Sequence, residues 1–365
     1  MKRISLATLL LCVLPLLRAA PALPPRAEVL ATMERVADWQ LAHPYTKAPA
    51  TDWINAAFYT GLLAVDQVSP SPRYREALRG IAERTGWEPG PRTYHADDLC
   101  VGQAYLGLYS RYHDPRMIAP LRARLDFILA HPKSGSLAYA EHHLDLWSQR
   151  WSWCDALFMA PPVWTRMSEV TGDPRYRLFM ESEWKVTTDY LYDREAHLYY
   201  RDSRFFDRRE PNGAKVFWSR GNGWVIAGIT RVLEALPADD PARPGFERQF
   251  REMAAAVLAA QQPDGMWRTS LLDPRDYTEK ESSGTGFYCY ALAWGVNHGL
   301  LDRGVTLPAV ERAWQALEAC VKPDGKLTRV QTVAGSPTPF DPDSTMPYGV
   351  GAFLLAGRQV YALAR

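Results

Sequence analysis

Two kinds of apolar segment alternate along the chain. In the first kind, apolar residues recur every three or four positions, as in the run 121–129, where Leu121, Leu125, Ile128 and Leu129 fall on one helical face. This spacing predicts an amphipathic helix with one buried stripe and one face in water. Six segments follow the pattern, and they begin near residues 26, 71, 114, 173, 240 and 307.

The second kind of segment is apolar nearly all round and rich in Gly and Ala. Its six examples are "DWINAAFYTGLLAVD", "ADDLCVGQAYLGLYSRY", "DALFMAPPVWTRMSEV", "GNGWVIAGITRVLEAL", "SGTGFYCYALAWGVNHGL" and "MPYGVGAFLLAGRQVYALA". A helix that is apolar on every side is buried by its neighbours. The chain therefore predicts six helix pairs, each with one wet-faced and one buried helix.

Six helix pairs that share one core predict an all-α fold, the (α/α)6 barrel. An open solenoid is the alternative, but neither end of the array shows a polar capping repeat. No stretch of disordered composition interrupts the pairs, so we expect one domain over residues 23–365. Prolines are expected to start the later outer helices, because proline suits the first helical position; these are Pro72, Pro115, Pro174, Pro241 and Pro308.

The first residues, "MKRISLATLLLCVLPLLRAAPALPP", have a basic start, an apolar run and a small-residue end. This pattern is typical of a secretory signal peptide, which we expect over residues 1–22. An uncleaved membrane anchor is the alternative, although the apolar run is short for a span. We therefore expect a secreted, periplasmic protein without membrane contact. The remaining cysteines show no CxxC spacing and are expected to be free and buried; they are Cys100, Cys154, Cys289 and Cys320.

Composition narrows the class of ligand. The formal net charge is +1 and no basic block occurs, which argues against a nucleic-acid partner. The 13 Trp and 18 Tyr offer flat apolar faces with a polar tip, which suits sugar rings, while core packing is the alternative for any one of them.

Polar residues gather at the heads of the buried segments. Four heads stand out, "TYHADDLCVGQAYLGLY", "EHHLDLWSQRWSWCDALFMAPP", "FWSRGNGWV" and "TEKESSGTGFYCYALAWG". In a barrel of this kind the heads face one end, where loops carry function on a rigid frame. The glycines of "SRGNGW" would admit close approach of the backbone to a ligand or to a neighbouring helix.

Carboxylates at two of these heads are candidates for acid–base chemistry. Asp97 and Asp98 lie in the first head and Asp155 in the second. Two carboxylates held apart in an aromatic pocket are the minimum for work on a glycosidic linkage, and burial would keep one protonated near neutral pH. The alternative for each aspartate is a helix N-cap, and for a histidine such as His95 a structural role. "EHH" lacks an i, i+4 histidine pair, so no metal and no cofactor are expected.

Four segments carry a resemblance to a known family: "ADDLCVGQAYL", "WCDALFMAPP", "FWSRGNGWV" and "SSGTGFYCYALAWG". Together they resemble glycoside hydrolase family 105, the unsaturated rhamnogalacturonyl hydrolases, which are related to the unsaturated glycuronyl hydrolases of family 88. The resemblance covers the chain from about residue 28 onward. It implies an (α/α)6 barrel that adds water to the 4,5 double bond of an unsaturated uronic acid. The implied substrate is a lyase-generated oligosaccharide with this sugar at its non-reducing end.

The resemblance also implies roles for individual residues. Asp155 matches the catalytic acid/base, and Asp97, rather than Asp98, matches the aspartate that holds a sugar hydroxyl and aids the proton path. Arg220 is implied to bind the substrate carboxylate and Trp224 to form a sugar-facing wall.

Further substrate contacts are implied for Asp98, Trp153 and His143, with the choice between His142 and His143 left open. Arg201 stands where relatives tend to carry a histidine. This difference bears on which sugar follows the unsaturated residue.

Two other functions are compatible with the sequence. Sugar 2-epimerases share the barrel and use paired histidines as bases, and a non-catalytic carbohydrate-binding protein would not depend on Asp155. The sequence leaves open whether the substrate derives from galacturonate or glucuronate, which sugar follows, and the oligomeric state.

Overall fold

The computed structural model describes residues 23–365. The predicted signal peptide, residues 1–22, lies outside the described residues, so that expectation stays a prediction. In the described part of the chain, no helix combines the length and the apolar character needed to cross a bilayer.

Helices dominate the described chain. The α-helices are α1 (Arg26–Ala42), α2 (Trp53–Asp66), α3 (Arg73–Arg84), α4 (Ala96–Leu99), α5 (Gly102–Tyr112), α6 (Ala119–Ala130), α7 (Leu144–Trp147), α8 (Ala156–Met159), α9 (Pro161–Thr171), α10 (Pro174–Leu191), α11 (Ser219–Ala235), α12 (Arg243–Ala260), α13 (Ser282–Asn297), α14 (Arg303–Glu318) and α15 (Pro347–Leu363). Short 3-10 helices span Pro115–Met117, Glu141–His143 and Ser203–Phe205. Two antiparallel two-residue strands, β1 (Tyr192–Asp193) and β2 (Leu198–Tyr199), form the small hairpin after α10.

Six of these helices form a closed inner ring. Helix α2 packs on α5, α5 on α9, α9 on α11, α11 on α13, α13 on α15, and α15 returns to α2. The ring contains every segment that the sequence predicts to be apolar all round. Closure confirms the (α/α)6 barrel and excludes the open solenoid.

The six wet-faced helices lie outside this ring. Helix α1 packs on α15 and α2, α3 on α2 and α5, α10 on α9, α12 on α11 and α13, and α14 on α13 and α15, while α6 contacts α10. Their buried residues recur at helical spacing, as Phe250, Met253, Ala254 and Val257 do in α12. The predicted alternation of outer and inner helices is therefore confirmed.

One expected helix start is wrong. Helix α14 begins at Arg303, where Asp302 accepts the backbone N–H of Val305, and Pro308 lies inside the helix. The Asp302 carboxylate satisfies a free donor of the first turn, so the helix begins there and tolerates Pro308 in its second turn. The other four prolines lie at the start of a helix or within two residues of one: Pro72, Pro115, Pro174 and Pro241.

Glycines let the inner helices approach closely. A Cβ on Gly228 of α11 would fall 2.2 Å from the carbonyl oxygen of Leu157, and one on Gly351 of α15 would fall 2.2 Å from that of Ala57. Real side chains never reach such distances, so these two contacts between helices require glycine. The small residues of the inner segments therefore serve ring packing.

Candidate active site

The heads of the inner helices bring two predicted aspartates together. Asp97 lies in the short helix α4, and Asp155 comes directly before α8. Helices α4 and α8 pack against each other at one end of the ring. The charge of Asp155 is among the causes that raise the pKa of Asp97, so the two carboxyl groups share one electrostatic environment.

Asp155 occupies the N-cap position of α8, but its side chain does not cap the helix. Within the described chain its carboxylate makes no capping hydrogen bond to α8. Instead Oδ1 accepts a hydrogen bond from Cys154 Sγ at 3.2 Å, and Oδ2 lies 3.8 Å from Arg201 Nε. The residue is 9% exposed, and burial raises the pKa of its carboxyl group although Arg201 and the Cys154 thiol lower it. The carboxyl group of Asp155 therefore has polar neighbours but is largely shielded from water.

Asp97 is the second carboxyl group of the pair. Its side chain is 17% exposed, and burial together with the nearby Asp155 charge raises its pKa to about 7, against a lowering by Arg92. The backbone N–H of Asp97 donates to Nδ1 of His95 at 3.3 Å. Nδ1 therefore carries no proton, and burial lowers the pKa of His95 to about 4. The 3.7 Å approach of His95 to the Asp97 carboxylate joins a neutral ring to a carboxyl group and is not an ion pair.

Asp98 has a different environment from Asp97. Its Oδ2 accepts the backbone N–H of Arg92, and Oδ1 accepts Nε and Nη2 of the Arg92 guanidinium at 3.1 and 2.6 Å. A Cβ on Gly90 would collide with this carboxylate at 2.5 Å. Both oxygens of Asp98 are thus committed to the loop before α4, which does not fit the expected role in substrate binding.

Arg220 is also committed to the protein itself. Its Nη1 and Nη2 donate to the carbonyl oxygens of Gln331 and Thr332 at 2.6 and 2.9 Å. The guanidinium lies between the rings of Trp218 and Tyr348 and is 1% exposed. The expected fork-shaped contact with a substrate carboxylate does not fit, because the guanidinium is buried between two rings and both terminal nitrogens already donate to backbone oxygens, although Nε has no partner in the described chain.

The two expected sugar-binding tryptophans are packing residues in this structure. Trp224 is 1% exposed, and its ring is covered by Phe287 and Phe158 at centroid distances of 4.3 and 4.7 Å. Trp153 is buried against His95 and Trp147. Neither ring presents a free face, because the interior of the ring must be filled.

The histidine pair lies apart from this buried cluster. His142 and His143 occupy the exposed 3-10 helix Glu141–His143, and their rings make no hydrogen bond within the described chain. The structure gives His143 no contact with either aspartate. It also shows no facing pair of histidines of the kind an epimerase uses, as far as residues 23–365 extend.

Two residues of this end of the barrel were missed from the sequence. In the sequence Arg201 stands out only as a difference from relatives, yet it lies beside Asp155. Gln331 lies outside the four polar heads. Its carbonyl accepts hydrogen bonds from Arg220 Nη1 and Tyr348 Oη, and its Oε1 accepts one from Trp218 Nε1. No local pattern marks Gln331, because its partners lie far away in the sequence.

The fourth polar head is a capping structure. Glu281, fully buried, accepts the backbone N–H groups of Ser283 and Gly284 at the start of α13. It also accepts the N–H of Gln331 at 3.1 Å. Glu281 thus ties the head of α13 to residues 331–338, which we call the 331–338 loop and which contains the Arg220 acceptors.

The opposite end of the ring holds a cavity of about 590 Å³, lined by residues such as Gln103, Arg231 and Tyr290. Its carboxylates are already engaged: Asp66 pairs with Arg75, and Glu234 accepts from Tyr290. The described residues include no group of three His, Cys, Asp or Glu side chains arranged to hold a metal ion. The electrostatically coupled carboxyl pair, Asp97 and Asp155, therefore marks the α4–α8 end as the candidate active site.

Comparison with known proteins identifies the family of the chain. The family model described as Glycosyl Hydrolase Family 88 matches residues 28–364. A relative from Formosa agariphila, named unsaturated 3S-rhamnoglycuronyl hydrolase, is 41% identical over 350 residues, which is 92% of this chain and 91% of the relative.

Two solved structures are similar over nearly their whole length. One, a glycosyl hydrolase family 88 protein from Bacteroides vulgatus, is 30% identical with a TM-score of 0.83. The match covers 93% of this chain and 99% of the Bacteroides vulgatus chain. The other, named a polysaccharide lyase, is 33% identical with a TM-score of 0.83. The match covers 93% of this chain and 98% of the lyase chain.

Proposed function

The chain belongs to glycosyl hydrolase family 88, and we propose that it releases a 4,5-unsaturated uronic acid from the non-reducing end of lyase-generated oligosaccharides. It is a glycosidase of the unsaturated glycuronyl type. The observation that carries the proposal is the pairing of Asp97 and Asp155 in one partly dry environment, with the pKa of both carboxyl groups raised. This is the arrangement that acid–base addition of water requires.

The reaction balances with water as the only co-substrate. A proton is added to C4 of the double bond, and the oxygen of water is added to C5 as its own proton passes to a carboxylate. The product is a hemiketal at C5, whose opening leaves a ketone at C5 and a hemiacetal at C1. The hemiacetal then releases the next sugar, so no covalent glycosyl-enzyme forms.

Asp155 is proposed as the group that protonates C4 and activates water, and Asp97 as its partner. We expect the pair to retain a proton near neutral pH, because burial and the Asp155 charge raise the pKa of Asp97 to about 7. Asp97 is the better proton store in the free protein, since Arg201 and the Cys154 thiol favour ionised Asp155. Asp98 and Arg220 are proposed to shape the site rather than to touch the substrate.

For the substrate, we propose an unsaturated uronate attached to rhamnose. The support is the name of the Formosa agariphila relative, an unsaturated 3S-rhamnoglycuronyl hydrolase. The test is direct: the ultraviolet absorbance of the double bond should fall on incubation with lyase-generated oligosaccharides, and a new reducing rhamnose end should appear. Unchanged absorbance with pectin- and ulvan-derived substrates would contradict the proposal.

A second candidate is β-elimination, favoured by the solved structure named a polysaccharide lyase. A lyase removes the proton from C5 of a saturated uronate and expels the group at C4, which creates the same double bond. The two reactions change the absorbance in opposite directions. Incubation with saturated glucuronate-containing oligosaccharides should therefore leave the absorbance flat if the chain is a hydrolase.

We also propose that the protein is exported, that residues 23–365 form one domain, and that catalysis needs no metal ion. These proposals rest on the N-terminal pattern, the unbroken series of helix pairs and an acid–base route that needs no Lewis acid. A native protein that begins at Met1 would contradict export. Activity that chelation abolishes and a divalent ion restores would contradict the metal proposal.

A further inference from the structure

Arg201 is anchored to the segment that carries Asp155. Its backbone carbonyl accepts the N–H of Cys154 at 2.9 Å, which fixes residue 201 next to the residue before the aspartate. Its guanidinium lies with Nε 3.8 Å from Asp155 Oδ2. The position of this arginine relative to the carboxylate is therefore set by the backbone as well as by charge.

A buried carboxylate holds Arg201 from the other side. Asp202 is fully buried and accepts Nη1 of Arg201 at 2.7 Å. The same carboxylate accepts Nε and Nη2 of Arg204 at 2.9 and 2.8 Å. The two arginines lower the pKa of Asp202, which stays ionised and keeps both guanidinium groups in place.

Arg201 and Arg220 each have a buried Nε without a hydrogen-bond partner in the described chain, but Arg201 is the more exposed of the two and uses fewer of its donors. The Nε of Arg201 has no hydrogen-bond partner in the described structure, although Asp155 lies nearby. Its side chain is 17% exposed, whereas Arg220 is almost fully enclosed and gives its terminal nitrogens to two carbonyls. An arginine has five N–H donors, and only Nη1 of Arg201 is used here.

Two groups lie near this guanidinium. Gly335 of the 331–338 loop faces it, and a Cβ there would lie 3.6 Å from Nε. The Trp147 ring lies 5.9 Å away on another side. Arg201 thus lies near an aromatic ring and beside a loop glycine that brings no side chain against it, next to the proposed acid.

We propose that Arg201 recognises the carboxylate of the unsaturated uronate and holds it beside Asp155. This inference rests on the proposed function. The carboxyl carbon of the substrate is bonded to C5, the atom next to the C4 that Asp155 protonates. A substrate in reach of Asp155 therefore places its carboxylate within a few bonds of the acid, where Arg201 offers a planar, permanently charged donor.

Binding at Arg201 would also prepare the acid. The charged and titratable groups around Asp155 are Cys154, Arg201, Arg220, Asp202 and Asp97. Of these, Arg201 most strongly favours ionised Asp155. A bound carboxylate compensates that positive charge and adds a negative one nearby, and both effects favour protonated Asp155. The substrate would thus draw the shared proton from Asp97 to the residue that uses it.

The experiment measures binding without turnover. In an Asp155→Asn background, calorimetry compares an unsaturated uronate–rhamnose disaccharide with its uronate methyl ester, with and without Arg201→Gln. We expect Arg201→Gln to weaken binding of the acid about 10- to 100-fold, the range for one lost charge-assisted contact, and to leave binding of the ester nearly unchanged. Equal losses for both ligands, or no preference of the parent for the acid, would overturn the proposal.

Three controls separate the alternatives. Arg204→Gln removes the other partner of Asp202 and should leave the preference for the acid intact; if it matches Arg201→Gln, the effect runs through Asp202 and the proposal fails. Arg201→Lys keeps the charge and should restore part of the preference even if the glutamine variant folds poorly. The "3S" in the name of the Formosa agariphila relative denotes a sulfated rhamnose, so the comparison is repeated with a disaccharide that carries this sulfate. A loss confined to the sulfated disaccharide would assign Arg201 to the sulfate and overturn the carboxylate assignment.

Failure of the proposed function would look different. It would appear as unchanged double-bond absorbance with the unaltered protein, whereas the binding comparison would still show whether Arg201 distinguishes the acid from the ester.

Discussion

The Sγ–H of Cys154 donates a hydrogen bond to Oδ1 of Asp155 over 3.2 Å. Both residues are buried, and burial raises the pKa of the thiol, which therefore stays protonated and acts as a donor. The bond leaves Oδ2 as the oxygen nearer to Arg201. A residue with no catalytic chemistry of its own thus orients the proposed acid.

Replacing Cys154 by Ala should move the pH dependence of catalysis. The thiol hydrogen bond favours the ionised carboxylate, so its loss raises the pKa of Asp155 and shifts the alkaline limb of kcat to higher pH. Stability should fall by about 1 kcal/mol, as for other small truncations in a core. Cys289→Ala, at a buried cysteine in α13, should cost similar stability without moving the pH profile.

Asp155→Asn should reduce turnover about 10²–10⁴-fold while fold and binding survive. The amide is nearly isosteric, and the described structure shows no capping bond from this side chain that could weaken. Rates of absorbance loss measure the effect. Asp302→Asn is the matched control, since Asp302 caps the outer helix α14 and asparagine caps nearly as well. Normal rates with Asp155→Asn would rule out the proposed role.

The aspartate doublet should separate into one functional and one structural residue. Asp97→Asn should lower kcat with little loss of stability, because no donor in the described chain bonds its carboxylate. Asp98→Asn should cost about 1–3 kcal/mol of stability through the weakened contacts with Arg92. Denaturant unfolding and kinetics on both variants check this. The reverse pattern would assign the roles the other way.

Asp97 should also make stability depend on pH. Its pKa is about 7 in the fold and 3.8 ordinarily, so between these values the folded protein binds more protons than the unfolded chain. Raising the pH from 4 to 8 therefore destabilises the fold through this group, by up to about 4 kcal/mol.

Asp97→Asn removes this contribution. The variant should be more stable than the parent at pH 8, and the difference should vanish near pH 4. Urea unfolding at both pH values measures it. The opposing effect of His95, whose low pKa destabilises the fold below about pH 6.5, is expected in both proteins and should largely cancel. A constant difference across pH would contradict the prediction.

Closure of the ring should depend on Gly228. An alanine there would drive its Cβ to 2.2 Å from the Leu157 carbonyl oxygen, which is backbone and cannot turn away. We expect a loss above about 3 kcal/mol, or no folding. Gly245→Ala in the outer helix α12 meets nothing within 4 Å and should be neutral or stabilise by roughly 0.5 kcal/mol. Thermal unfolding compares the two.

Helical periodicity determined the fold. The repeat of apolar positions is a property of neighbouring residues, so the outer and inner helices could be predicted pair by pair. The count of pairs then favoured closure, and the contact between α2 and α15 completes it. The start of α14 was misjudged because Pro308 and Asp302 both suit a helix start, and the capping bond to Val305 favours Asp302.

The sequence predicted the two aspartates of the candidate site but not the contacts of their side chains. Asp97 and Asp155 followed from their places at helix heads, yet the sequence left both open as helix caps. Whether an aspartate caps depends on where its side chain points, and the Cys154 and Arg201 contacts settle this for Asp155. The sequence likewise left open whether the glycines of "SRGNGW" admit a ligand or a neighbouring helix. Gly221 and Gly223 lie against Cys154, Trp218 and Phe287, so they admit neighbouring helices and loops.

Only the tertiary structure distinguished the two arginines. Arg220 carries the more conspicuous motif, but its partners Gln331 and Thr332 lie 111 and 112 positions away and accept from its two terminal nitrogens. Trp224 loses its free face in the same way, to Phe287 on another helix. A side chain is available to a ligand only if residues from elsewhere in the chain do not already accept its hydrogen bonds or pack against its ring. These contacts cannot be predicted from the sequence, because closure of the helix ring brings together residues that are far apart in the chain.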